Sequence, residues 1–173
     1  MNIPIYLIIH HTGGTDANPL SDSSNFSFAQ CDALHKQKFN MKSSLGFYCG
    51  YHYYIEKNGK LFTARADSDD GAHTIGRNNS SLGICLAGNF DVTMPTAEQM
   101  TTLTQLLKEK VARYRIPANF IIPHRQFATK TCYGSKLSDD WARNLVTHET
   151  GQNDKITQAV KLLKEALNLL QTW

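Results

Sequence analysis

Ile5 to Ile9 is an unbroken apolar run rich in branched residues, and His10 and His11 end it. A run this short, with no polar alternation, reads as a central strand buried on both faces. The next stretch, Thr12 to Asn25, is rich in Gly, Ser, Asn and Asp and reads as a loop. Binding and catalytic groups tend to gather on loops that leave a buried strand.

The rest of the chain supplies partners for that strand. Ser27 to Gln30 forms a capping box, predicting a helix to about Lys38 with Phe28, Cys31 and Leu34 as its apolar stripe. Tyr51 to Glu56 reads as a strand, Asn58-Gly59 as a hairpin turn, and Lys60 to Arg65 as the returning strand. Ser81 to Ala87 is a further strand. Thr96 to Gln99 is a second capping box, opening a long helix through Met100, Leu103, Leu107 and Tyr114 that Pro117 closes. Phe120 to Ile122 reads as a short strand, and Ser138 caps a helix holding Trp141 and Leu145. Asp154 begins a last amphipathic helix, with Ile156, Val160, Leu163, Leu167 and Leu170 on one stripe. Strands interleave with helices and include a hairpin, so the expected class is α/β (α+β), a central mixed sheet flanked by helices. We expect one catalytic domain over residues 1–150, with residues 151–173 forming a helix packed on it.

Composition narrows the function classes. The 173 residues are 41% hydrophobic and 19% charged, ordinary for one globular domain. A net charge of +3 favours approach to an anionic polymer without naming one. No basic stripe with interleaved aromatics suggests nucleic-acid binding. No apolar run is long enough for a membrane span. The N-terminus lacks a basic start and its apolar run is short, so synthesis in the cytoplasm without a signal peptide is expected. The four cysteines, Cys31, Cys49, Cys85 and Cys132, form no CxxC pair and are expected to be mostly reduced and buried.

Two places could carry chemistry. Side chains alternate along a strand, so only one of His10 and His11 can face a given site. Further on, His124 ends a strand and is followed after a loop by Lys130 and Cys132. Imidazole and thiolate are both good zinc ligands, and two histidines with one cysteine would leave a fourth position open, the mark of a catalytic centre. If Lys130 and Cys132 are locally extended, they face the same side and bring an ammonium to the metal. On spacing alone, a pair of loop histidines and a structural cysteine remain the plainer account of each place.

Five stretches change that balance together: Tyr6 to Gly14, Gly50 to Gly59, Gly71 to Asn78, Ser81 to Phe90, and His124 to Cys132. In this order they resemble the zinc-dependent N-acetylmuramoyl-L-alanine amidases, a family that includes phage lysozyme-type amidases and the animal peptidoglycan recognition proteins. The resemblance implies that His10, His124 and Cys132 bind zinc, that Tyr51 and Lys130 are catalytic, and that His73 and Asn78 lie at the substrate groove. It also implies an activity: hydrolysis of the amide bond between N-acetylmuramic acid and L-alanine in peptidoglycan, with muropeptides as small substrates.

The chain departs from the pattern twice. Cys85 stands where many recycling-type relatives carry a glutamate base, which favours the tyrosine and lysine arrangement. Tyr133-Gly134 follows the ligand cysteine where many relatives have proline. His35, beside Lys36 and Lys38, reads as part of a solvated helix face. His52 should point away from Tyr51, His148 reads as a loop residue, and His11 as a neighbour that is not a ligand. The chain is expected to be a monomer, and its last helix to dock on the domain rather than on a membrane. Rival readings are a non-catalytic peptidoglycan-binding module, a cysteine hydrolase using Cys132 and His124, and a structural zinc protein.

Overall fold

The computed structural model describes residues 1–147. Five strands form one sheet: β1 (Tyr6–His11), β2 (Tyr53–Ile55), β3 (Leu61–Thr63), β4 (Ser81–Leu86) and β5 (Ile121–Pro123). Their order is β3-β2-β4-β1-β5. β1 runs parallel to both β4 and β5, β2 runs parallel to β4, and the hairpin partner β3 is antiparallel at the edge. The expected mixed sheet is therefore observed, with the apolar run as an interior strand between β4 and β5. β1 extends through both histidines, so they end the strand itself rather than begin the loop.

Each sheet face has its own cover. Leu7, Ile9, Leu82, Ile84 and Leu86 pack with Leu103, Leu106 and Leu107 of helix α2 (Ala97–Tyr114) and with Ala142 and Val146. The last two lie on a helical stretch, residues 141–147. On the opposite face, Cys85 and Tyr54 pack with Phe28 and Cys31 of helix α1 (Phe28–Lys38). Both predicted capping boxes are present, on Ser27 and on Thr96. Glu56 at the end of β2 also accepts a hydrogen bond at 2.9 Å from the first amide of α1, tying helix to sheet. The Asn58-Gly59 turn forms as predicted, with Gly59 at φ +80°, where the absent Cβ removes the strain.

One helix-face assignment needs correcting. His35 is buried at 9% exposure, whereas Leu34 is 37% exposed. The buried stripe of α1 is Phe28, Cys31 and His35, spaced i, i+3, i+7, a regular helical face. His35 is held there because its Nδ1 accepts the Gly50 N–H at 2.8 Å. All four cysteines are free and buried. No described helix is long and apolar enough to cross a membrane. His148 and the helix expected from Asp154 onward lie outside the described residues.

Candidate active site

The parallel register builds the site. His10 pairs with Cys85 on β4 and Ile9 with Pro123 on β5, so His124 emerges at the level of His10. The two imidazole rings lie 4.4 Å apart, centroid to centroid. Cys132 returns from the following loop to place its Sγ 3.8 Å from His10 Nδ1. One donor atom each from His10, His124 and Cys132 falls within 4.8 Å of the others. Strand alternation turns His11 to the other face, where its Nδ1 accepts the Phe90 N–H at 3.0 Å.

The Cys132 loop is held from two sides by residues that the sequence did not single out. From the turn after β5, the Arg125 amide donates to the Cys132 carbonyl at 2.5 Å. The Arg125 guanidinium donates to the carbonyls of Gly134 and Leu137, each at 2.8 Å, and pairs with Asp139. From the other side, the Asp91 carboxylate accepts the Thr131 hydroxyl and the Ser135 amide, each at 2.7 Å. Thus the residue next to one predicted ligand fixes the loop that carries another. Only the adjacency of Arg125 to His124 hinted at this, because most of the partners are backbone carbonyls.

A cleft of about 530 Å³ lies over the cluster, lined by His10, Tyr51, His73, His124, Lys130 and Cys132 among others. Lys130 reaches it from the end of a run of bends, residues 127–130. The Tyr51 ring lies 4.9 Å from the His10 ring. Asn78 does not line this cleft. Its side-chain carbonyl accepts the amides of His73 and Thr74, each at 2.9 Å. His52 faces away from the cleft, with its Nδ1 accepting the Gly83 N–H at 3.1 Å.

Burial dominates the electrostatics. It pushes His10 and His73 well below the ordinary imidazole range, helped by the neighbouring histidines. Burial lowers His124 too, with the Lys130 ammonium adding to the effect. Neutral imidazoles are the form that binds metal. Burial pushes the Cys132 thiol up to about 12. A cysteine nucleophile needs a depressed thiol pKa and an adjacent base, so this environment disfavours a Cys132 and His124 hydrolase. Burial also raises the Cys85 thiol well above its usual range, so Cys85 is no general base. A second group, Cys31, His35 and Cys49, is fully buried. There the His35 Nδ1 lone pair is already taken by Gly50, and the group packs as a polar patch between α1 and the sheet.

The family description "N-acetylmuramoyl-L-alanine amidase" matches residues 1–135. The chain belongs to the N-acetylmuramoyl-L-alanine amidase family. Peptidoglycan-recognition protein SD of Drosophila melanogaster is 31% identical over 136 residues, covering 78% of this chain and 69% of that protein. Among solved structures, the endolysin amidase LysCS of Clostridium intestinale superposes with a TM-score of 0.62 at 27% identity, covering 78% of each chain. Drosophila peptidoglycan recognition protein SD superposes with a TM-score of 0.63 at 25% identity, covering 79% of this chain and 78% of that one. The amidase fold expected from the sequence is thus the fold observed. Within it His10, His124 and Cys132 come together as a cluster of possible metal ligands.

Proposed function

We propose that this amidase cleaves the bond between N-acetylmuramic acid and L-alanine in peptidoglycan, using one zinc ion held by His10, His124 and Cys132. The observation that carries the reading is the convergence of three donor atoms, within 4.8 Å of one another, on the floor of an open cleft. Two imidazoles and a thiolate suit a borderline-soft divalent ion, and three protein ligands leave a position for substrate. Zinc bound there would supply Lewis acidity and a nucleophile at neutral pH.

The chain's own residues do the rest. The cleft accepts the lactyl amide with its carbonyl toward Lys130, whose ammonium stabilises the negative charge that develops on oxygen. The Tyr51 hydroxyl donates a hydrogen bond to the same oxygen. Burial holds the phenol well above its usual pKa, so it remains a donor across the physiological range. His73 lines the cleft beside them, and Asn78 acts through the loop it braces. Removing one such donor costs about 2.7 to 4 kcal/mol in the barrier, so Lys130→Ala should lose roughly 100- to 1000-fold in kcat while keeping its zinc. A zinc-loaded Lys130→Ala enzyme with the wild-type rate would remove Lys130 from the mechanism.

Mass analysis of muropeptide digests, with and without chelator and restored zinc, tests the whole reading. Free stem peptide should appear only with metal present. Binding to peptidoglycan with no release by the zinc-loaded protein would establish a recognition module instead. Full activity in chelator would return the case to a cysteine hydrolase.

A further inference from the structure

His73 is occupied in a way that a substrate contact would not require. Its Nδ1 lies 3.1 Å from Nε2 of His10, and its Nε2 lies 3.5 Å from the Ser81 hydroxyl. The ring stands on the sheet in a slot that needs two glycines. A Cβ on Gly83 would meet the ring at 2.5 Å, and one on Gly71 would meet it at 2.4 Å. Asn78 fixes the backbone at His73 and Thr74.

Proton counting along this line gives each nitrogen its role. The single Ser81 hydroxyl hydrogen is donated to the Arg77 carbonyl at 2.7 Å. Ser81 Oγ, 3.5 Å from His73 Nε2, then has only acceptor capacity left for it, which favours the His73 tautomer protonated on Nε2 with a lone pair on Nδ1. That lone pair faces His10 Nε2, which must then carry the His10 proton. The Thr74 hydroxyl, 2.9 Å from the same Nδ1, shares it as a second donor. What remains on His10 is the Nδ1 lone pair, 3.8 Å from Cys132 Sγ and turned toward the cluster.

We propose that His73 is a positioning residue for the metal, accepting the Nε2 proton of His10 and so fixing the tautomer and ring orientation that offer Nδ1 to the ion. The proposal rests on the zinc reading above. It assigns the role through which outer partners of a ligating histidine act, whose loss typically weakens metal binding about 10- to 100-fold.

The test is zinc affinity, measured by competition with a fluorescent chelator. His73→Ala should bind zinc 10- to 100-fold more weakly than wild type. His73→Asn, whose carbonyl can accept the same proton, should recover most of that loss, which general loosening of the fold would not allow. Ser81→Ala, which strands the His73 Nε2 proton, should weaken binding by a smaller factor and serves if His73→Ala does not fold. Nitrogen-15 NMR of the zinc-loaded wild type should show His10 and His73 each protonated at Nε2. Unchanged affinity in folded His73→Ala, or a His10 proton on Nδ1, overturns the proposal while leaving the zinc site intact. A wild-type protein that binds no zinc, or whose affinity ignores Cys132→Ala, would sink the metal site and this inference with it.

Discussion

Arg125→Ala tests whether the Cys132 loop is held as described, because the Arg125 side chain bonds to no proposed ligand and no cleft residue. The guanidinium makes two bonds to loop carbonyls, Gly134 O and Leu137 O, each at 2.8 Å. Hydrogen bonds with a charged partner contribute about 1.5 to 3 kcal/mol each. The pairing with Asp139, whose side chain is 55% exposed, adds at most about 1 kcal/mol after solvent screening. The Arg125 backbone bond to Cys132 survives the substitution, so the lower end of the range applies: about 3 to 4 kcal/mol. For a domain of this size, that lowers Tm by about 10 °C. Arg125→Lys keeps the charge but not the fork and should fall in between. Thermal unfolding and zinc competition on the same samples give both halves of the answer, and zinc affinity should drop with stability because the loop delivers a ligand. A melting point within about 2 °C of wild type, together with unchanged zinc affinity, would show that the loop does not depend on the Arg125 guanidinium.

Three further outcomes follow from the packing. His52 is fully buried, and burial depresses its pKa from 6.5 to about 4. The unfolded chain therefore takes up its proton first, and stability should be level above pH 6.5 and decline as pH falls toward 4, by roughly 2 kcal/mol at pH 5 from this group. Equal urea midpoints at pH 7.5 and pH 5 would contradict it. Gly83→Ala drives a methyl group into the His73 ring, so a loss of about 1 to 3 kcal/mol is expected, with zinc affinity falling alongside. A stable Gly83→Ala protein with normal zinc binding would mean the slot is looser than its distances imply. Thr96→Ala removes the side-chain cap of α2 and should cost about 1 kcal/mol in denaturant unfolding, with activity unchanged.

The elements that set the fold were legible because each left a local signal. Two capping boxes, an Asn-Gly turn and an apolar run identify four pieces of the architecture without long-range information. His10, His124 and Cys132 were legible as metal-ligand chemistry, but their convergence depends on parallel register between strands more than a hundred residues apart in the sequence, and only the resemblance supplied it. His35 was misplaced because its lysine neighbours outweighed its spacing from Phe28 and Cys31. Beyond the adjacency of Arg125 to His124, the roles of Arg125 and Asp91 leave no pattern, since they act largely on backbone groups of a loop with no regular structure. Asn78 sits in a recognisable motif, yet its neighbours' amides, not the cleft, occupy its side chain.

Cys132 and His10 stand 122 positions apart, one on an irregular return loop and the other on a strand paired on both sides. An ion gripped by both is a removable staple across most of the domain. Ligand binding to the native state alone adds stability that grows with the free concentration of the ligand, so the melting point of this protein should track zinc supply. With zinc held as proposed, scarcity of the metal would cost the protein its activity and its resistance to unfolding and proteolysis together.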